Sequence, residues 1–498
     1  MRYIVLITTI LLSNLYLAFS QKFKDVTVFQ CEGYLLEKIG YPSKMVSDGK
    51  GNLYFVEYWV QGKGGRRVTG KYLQCLNNKM EETWFKPTFG ENQNLSYEFI
   101  DLFMLNKTLA VIGSLPFDKK EKKTVIQFFN LSGKDLTPQL SMSNFDVFGV
   151  KSSDFEQTIV PSSDSLNILW LGYNPTASAS KRRVFASVFS NDGKKLWSNE
   201  LSLPYTDKKY IIKQTLVDKK GNPYFLMVYE KYMNLLEEDK KNLPVIVKYD
   251  FKQKKYFEFP ITFENAAVPE INMFINSENN LLLLGAIVDG NAGIQNGDKI
   301  YEKPLNWSKF FYKRLNVWEG MKVDQENFVD IPENMKKKYV QNSANFKESL
   351  ILEKNGKILW LIEEAFQQNK DGAKLFHRND VAVICVDMNE GKIQWSSIVE
   401  KKQRDFNNDQ LFSYVWHISG NRLNLFYMSE KGAGGKAINT GIDLENGEML
   451  SQEVIKNESS NYYFFPSRST SVDEKTLILL GVGKINANQY MLLRVVYF

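Results

Sequence analysis

Hydrophobic and polar positions follow one recurrent pattern along this chain: a polar turn, then a short and dense apolar run. Gly51-Asn52 precedes residues 53–59, Asn106-Lys107 precedes 108–113, and Asp164-Ser165 precedes 166–172. The same mark returns at Gly221-Asn222, Asn279-Asn280, Asn355-Gly356, Gly420-Asn421 and Glu474-Lys475. Successive instances lie roughly 55 to 75 residues apart, near the period of radial β-repeats once longer loops are allowed. Runs such as Leu281-Leu282-Leu283-Leu284 and Leu477-Ile478-Leu479-Leu480 do not alternate. They fit strands covered on both faces.

Each unit continues with a variable loop, a third strand, a tight turn and a fourth strand. Residues 183–190, the turn Asn191-Asp192-Gly193-Lys194 and residues 195–203 show this, and similar turns stand at Leu131-Ser132-Gly133-Lys134, Asn389-Glu390-Gly391-Lys392 and Glu445-Asn446-Gly447-Glu448. Asn-Gly and Asp-Gly pairs recur where strands reverse because they tolerate positive φ. The pattern predicts an all-β fold, a single eight-bladed β-propeller, with seven blades as the alternative. Blades are expected near 43–90, 97–143, 155–203, 211–263, 270–330, 347–400, 411–456 and 467–498. The last unit has only three strands of its own, whereas residues 24–34 form a strand without local partners. Pairing 24–34 beside the final strand completes the eighth blade and covers an exposed sheet edge.

Two other architectures were weighed. Phe498 with alternating Tyr490, Leu492 and Val496 is similar to the end of an outer-membrane barrel strand, but barrel strands alternate apolar and polar residues throughout. Stacked sandwiches are the other alternative. Helix is expected only in insertions at 231–241 and 332–340.

The composition, 43% hydrophobic and 14% aromatic with only 14 prolines, allows a large core and a chain folded throughout. Residues 1–20 read as a secretory leader: Arg2 gives the positive end, 4–17 the apolar stretch and Ala18-Phe19-Ser20 the cleavage site, leaving 21–498 as the mature propeller. That apolar stretch is shorter than the about 20 residues a spanning helix needs. The expected address is secreted, periplasmic or cell-surface, with no transmembrane segment after leader removal. A net charge of +6 that includes Arg2 lacks the density of a nucleic-acid binder. Three cysteines, Cys31, Cys75 and Cys385, indicate a fold held by its core. Cys385 reads as a buried small hydrophobe, and Cys31 and Cys75 remain available to pair.

Catalytic signatures are sparse. The two histidines, His377 and His417, exclude a His-rich metal site. His417, beside Trp416 in a strand, reads as a packed core residue, and His377 as an exposed loop residue. Gly62-Lys63-Gly64-Gly65 and 432–436 lack the helix that phosphate-cradling loops require. Ser178-Ala179-Ser180-Lys181 lacks the partner motifs of its Ser-x-x-Lys pattern, and 289–302 breaks calcium-loop spacing at Gly293. No catalytic, cofactor or metal residue is assigned.

Asn191-Asp192-Gly193-Lys194-Lys195-Leu196-Trp197 and Asn389-Glu390-Gly391-Lys392-Ile393-Gln394-Trp395 resemble the blade endings of quinoprotein-like propellers, with an echo at Glu82-Thr83-Trp84. The resemblance implies that these tryptophans pack between adjacent blades. The chain lacks the family's usual blade alanine and threonine and its adjacent cysteine pair, so no quinone cofactor is implied. That family includes both dehydrogenases and non-catalytic envelope scaffolds.

In such a ring the second-to-third-strand loops share one face with the links between blades. Here those loops are long: 61–67, 115–123, 174–183, 231–244, 289–308, 365–379 and 430–436. Binding tends to reside on loops carried by a rigid scaffold. The candidate binding face comprises Lys63, Arg66, Arg67, Lys119, Lys120, Lys181, Arg182, Arg183, His377 and Arg378. The function expected is non-catalytic binding or scaffolding for a protein or glycan partner in the cell envelope. The alternative is a polysaccharide hydrolase or lyase with carboxylates in the central funnel, which spacing cannot reveal when they come from different blades.

Overall fold

A computed structural model describes residues 26–29, 43–61, 68–89, 97–118, 121–143, 156–173, 184–204, 210–229, 244–263, 266–289, 308–316, 321–331, 346–370, 373–406, 413–429, 437–455, 462–483 and 490–497. These residues form eight antiparallel sheets; in six the strands pair strictly in chain order, in blade 6 a fifth strand is added, and blade 8 takes in the N-terminal strand. Blade 4 is typical: Tyr210–Val217 innermost, then Pro223–Tyr229, Val245–Asp250 and Lys255–Pro260. The eight sheets are separate, which removes the single closed sheet of a membrane barrel. No helix among the described residues is long and apolar enough to cross a membrane.

Apolar side chains pack between blades rather than at one centre. Among the described residues, eight clusters each join one blade to the next. One joins Leu169 and Val188 of blade 3 to Phe225 and Val247 of blade 4, and another joins Leu284 and Phe310 of blade 5 to Trp360 and Ile384 of blade 6. The cluster of Leu53, Phe55 and Leu76 with Ile478, Leu480 and Leu492 joins blade 1 to blade 8 and completes the ring. The dense second strands are therefore buried on both faces, as their sequences require. The protein is an eight-bladed β-propeller.

Closure occurs as expected. Val26–Phe29 pairs antiparallel with Tyr490–Tyr497, with Val26 opposite Tyr497 and Phe29 opposite Arg494. Residues 24, 25 and 30–34 lie outside the described residues. The innermost strand of blade 8 is split into Tyr462–Phe464 and Thr470–Asp473, which pair with opposite ends of Thr476–Gly483. Pro466 begins the intervening 3-10 turn, where its missing N–H is tolerated.

The tryptophan packing implied by the resemblance is present. Trp197 of blade 3 donates its indole N–H to the Gly221 carbonyl of blade 4 at 3.0 Å. Trp395 of blade 6 donates to Leu444 of blade 7 at 3.1 Å, and Trp84 of blade 1 to Leu131 of blade 2 at 3.2 Å. The Trp395 ring lies against the hairpin at Gly447. That glycine has a φ of 75°, and a Cβ there would come within 2.5 Å of Trp395 Cε3. Only glycine meets both demands.

Two segments expected as long loops are largely strand. Thr108–Asp118 and Glu121–Asn130 extend the blade 2 hairpin through most of 115–123. In blade 6, Lys357–Lys370 and Ala373–Asp387 form a long hairpin arm through 365–379, flanked by Gln403–Phe406. Residues 366–370 are too polar to read as strand, yet the arm is held by backbone pairing across the hairpin and to the added strand. Tertiary pairing overrides local propensity here. The segments 231–241 and 332–340 expected as helical insertions, residues 1–20 and the glycine-rich segments 62–65 and 432–436 lie outside the described residues, as does Ser178-Ala179-Ser180-Lys181. So do residues 290–302 of the acidic 289–302 stretch.

Candidate functional site

The first residues of each innermost strand lie at the ring face from which the second-to-third loops leave, because the first and second strands of a blade are antiparallel. Tyr210, for example, opposes Tyr229, the last residue of its neighbour. Near this end the first-to-second strand registers slip in blades 2, 4, 5 and 6, between Phe99 and Asp101, Ile212 and Gln214, Ala267 and Glu270, and Phe346 and Glu348. A further slip follows Glu363 in blade 6. Bulges of this kind bend a strand and re-aim its side chains, and they recur beside functional sites. Three of these slips bring Lys213, Glu270 and Glu363 to the walls of one cavity.

That cavity has a volume of about 720 Å3 and draws its lining from five successive blades. Blade 4 gives Lys213 and Gln214, blade 5 Glu270 and Asn272, and blade 6 Ser349, Leu350 and Glu363. Blade 7 gives Ser413, Tyr414, Val415 and Trp416, and blade 8 Pro466, Ser467 and Ser469. Its size falls in the range of small-molecule sites, about 300 to 1,000 Å3.

A hydrogen-bond chain crosses three blades along one wall. Lys213 Nζ donates to Glu270 Oε1 at 3.1 Å, Asn272 Nδ2 donates to the same oxygen at 2.9 Å, and Ser349 Oγ donates to Asn272 Oδ1 at 2.7 Å. Burial pushes the Glu270 carboxyl above its ordinary range, opposed by Lys213 and Asn272. Gln214 is committed to the wall: its Nε2 donates to Met273 O at 2.9 Å, and its Oε1 accepts from Met273 N at 2.7 Å.

The second carboxylate is held from behind. Glu363 meets Lys401 Nζ at 2.5 Å and Arg378 Nη1 at 3.2 Å, while Ser413 Oγ donates to its Oε2 at 2.8 Å. The Glu363 and Lys401 side chains are 1% and 0% exposed. Burial pulls the Lys401 ammonium down, and Glu363 opposes that pull. Lys401 also donates to Gln403 Oε1 at 2.7 Å, and Gln403 Nε2 donates to Met428 O at 2.8 Å. The ion pair is thus tied to blade 7, which keeps a buried charge pair tolerable.

Of the face predicted from sequence, Lys63, Arg66, Arg67, Lys119, Lys120, Lys181, Arg182 and Arg183 lie outside the described residues. His377 and Arg378 stand in the strand Ala373–Asp387 instead of a loop. His377 belongs to a strand, opposite Phe366 and Arg404, and is half-buried; burial, then Arg404 and Lys402, lower its pKa. Arg378 is largely withdrawn from solvent and braces Glu363. The polar stretch around both gives no strand signal in the sequence; the flanking strand Gln403–Phe406 supplies the missing backbone partner.

His417 is the packed core histidine expected, fully buried, its Nδ1 2.7 Å from Ser471 Oγ. Cys385 is a buried free thiol, pushed up to about 11 by burial. Cys75 is also a buried free thiol, and Cys31 lies outside the described residues.

Sequence reasoning did not single out Lys213, Glu270, Asn272, Ser349, Ser413 or Lys401. The one available signal was a charge next to an apolar run, as in Glu363 after Leu359-Trp360-Leu361-Ile362.

No protein-family model matches the chain, and a comparison with curated proteins finds no match. Among solved structures, the WD40 domain of SCAP from fission yeast has a TM-score of 0.43 at 10% identity, covering 96% of this chain and 95% of that one. BamB from Moraxella catarrhalis scores 0.31 at 9% identity, covering 95% and 100%. An ulvan lyase of a new polysaccharide lyase family scores 0.37 at 10% identity, covering 78% and 90%. The class of this protein rests on its own strand order and ring of inter-blade clusters.

Proposed function

We propose that this chain is an exported, non-catalytic β-propeller that serves as a binding or scaffold module in the cell envelope, taking a protein or glycan partner at its long-loop face. The leader-like residues 1–20 support export. One observation carries the binding reading: five blades line a cavity of about 720 Å3 whose charged groups are already engaged within its walls. Such a site offers shape and neutral hydrogen bonding. The basic segments with Arg66, Arg67, Arg182 and Arg183 border the same face in this reading.

The test is capture of the partner by the full chain from its native envelope or medium. Replacing Arg66, Arg67, Arg182 and Arg183 together by alanine is expected to weaken that capture. Undiminished capture, both by this variant and by one with the cavity filled, would remove the face from consideration.

A second reading has its own support. A buried carboxyl with a raised pKa, such as Glu270, suits a general acid, and Glu363 lines the same cavity. A polysaccharide hydrolase or lyase would lose turnover in Glu270→Gln while keeping ligand binding. A binding module shows no turnover to lose.

A further inference from the structure

We infer that the central cavity is a site for an uncharged, hydroxyl-rich ligand: the end of a neutral oligosaccharide. The inference rests on the binding reading above and specifies its ligand.

Charge is the first ground. The three charged side chains that line the cavity are Lys213, Glu270 and Glu363. Lys213 pairs with Glu270 at 3.1 Å, and Glu363 is clamped between Lys401 and Arg378. A charged ligand would have to compete with these pairs for the same groups. Removing a single partner from a buried pair leaves an uncompensated charge, which costs far more than a new contact returns. The cavity therefore disfavours uronates, sulfated sugars and charged peptides alike.

The second ground is what neutral chemistry remains. Asn272 spends one amide hydrogen on Glu270 and keeps another, and the Ser349 and Ser413 hydroxyls, which donate into the wall, keep lone pairs to accept with. These groups lie on three successive blades, 5, 6 and 7.

The third ground is the aromatic wall. Trp416 is half-buried, its ring partly packed against the cluster between blades 6 and 7, and it lines the cavity beside Tyr414. A ring fixed on one side by core packing presents a rigid apolar surface at little entropic cost. Amide and hydroxyl groups together with aromatic rings in one cavity match a pyranose, whose hydroxyls radiate from its edge while its C–H face is apolar.

The full chain would be tested on an array of neutral gluco-, manno- and galacto-configured oligosaccharides printed beside uronate- and sulfate-bearing ones, at low and at high salt. Retention on neutral sugars, unchanged by salt, is expected. It should fall at least about tenfold in Trp416→Ala, which is about 1.4 kcal/mol. Should Trp416→Ala fail to fold, Ser467→Trp obstructs the cavity from an exposed lining position and is expected to abolish retention. Retention only on acidic sugars, retention that survives Ser467→Trp, capture of a peptide by the cavity, or silence of the whole array would each overturn the inference. If the array is silent while partner capture still depends on Arg66, Arg67, Arg182 and Arg183, the inference falls and the binding reading stands. If capture also survives those substitutions and Ser467→Trp, both fall.

Discussion

His417 lies face to face with Tyr497, ring centroids 4.5 Å apart and planes 22° from parallel, so blade 7 meets the closing strand pair of blade 8 through a buried stack. The contact sits on the seam that Val26–Phe29 completes. Burial lowers the His417 pKa from 6.5 to about 4. The folded state therefore resists a proton that the unfolded chain accepts, and stability is lost as pH falls from about 6.5 towards 4. The loss over that window is about 3 kcal/mol. Denaturant melts of the wild type and His417→Phe across pH 4 to 7 should show the substitution flattening the slope by about that amount. Parallel slopes would refute the assignment.

The inter-blade tryptophans give a second prediction. Trp395→Ala removes a ring that is 8% exposed together with its bond to Leu444, and should cost about 3 to 5 kcal/mol in chemical denaturation. Gly447→Ala should cost more than about 1 kcal/mol, because the new methyl meets that ring and the backbone holds positive φ. In the Trp395→Ala background the steric part of the glycine penalty should disappear. A fully additive pair would show that the ring and the turn do not touch.

Ring closure is open to a backbone test. Successive residues of Val26–Phe29 alternate in which sheet edge their N–H groups face, so one of Thr27→Pro and Val28→Pro must delete a ladder bond to Tyr490–Tyr497. That variant should open the seam and become sensitive to limited proteolysis near 490–497. Equal resistance of both variants would mean that the short strand contributes nothing to closure.

The buried pair behind the cavity predicts strong coupling. Lys401→Met leaves Glu363 charged and buried with Arg378 as its remaining cation and should cost about 3 to 5 kcal/mol. Glu363→Gln combined with Lys401→Met should recover most of that loss in a double-mutant cycle. Additive losses would place the two groups in separate environments.

What the sequence disclosed and what it hid follow from the same physics. The turns at Asn106, Ser165, Asn279 and Asn355 were legible because a reversal needs positive φ, and these residues have φ values of 56°, 55°, 67° and 51°. Dense runs such as 281–284 were legible because burial on both faces leaves no polar alternation. The closing strand was legible as an apolar segment without a local partner. The cavity was not, because Lys213, Glu270, Ser349 and Ser413 come from four blades and converge only when the ring closes. The bulges that aim three of its side chains carry no residue signature either. Arg378 misled for a related reason: an arginine in a polar stretch reads as solvated, and only the fold brings Glu363 to it.

The seam between Val26–Phe29 and Tyr490–Tyr497 also orders events in time. A ribosome makes the first of these strands well before its partner, so the early strand waits unpaired while the intervening blades are made. Contacts that span so much chain are slow to form. The remaining blades can stack as they emerge, but the circle shuts only when residues 490–497 arrive, and until then the nascent protein carries an open sheet edge.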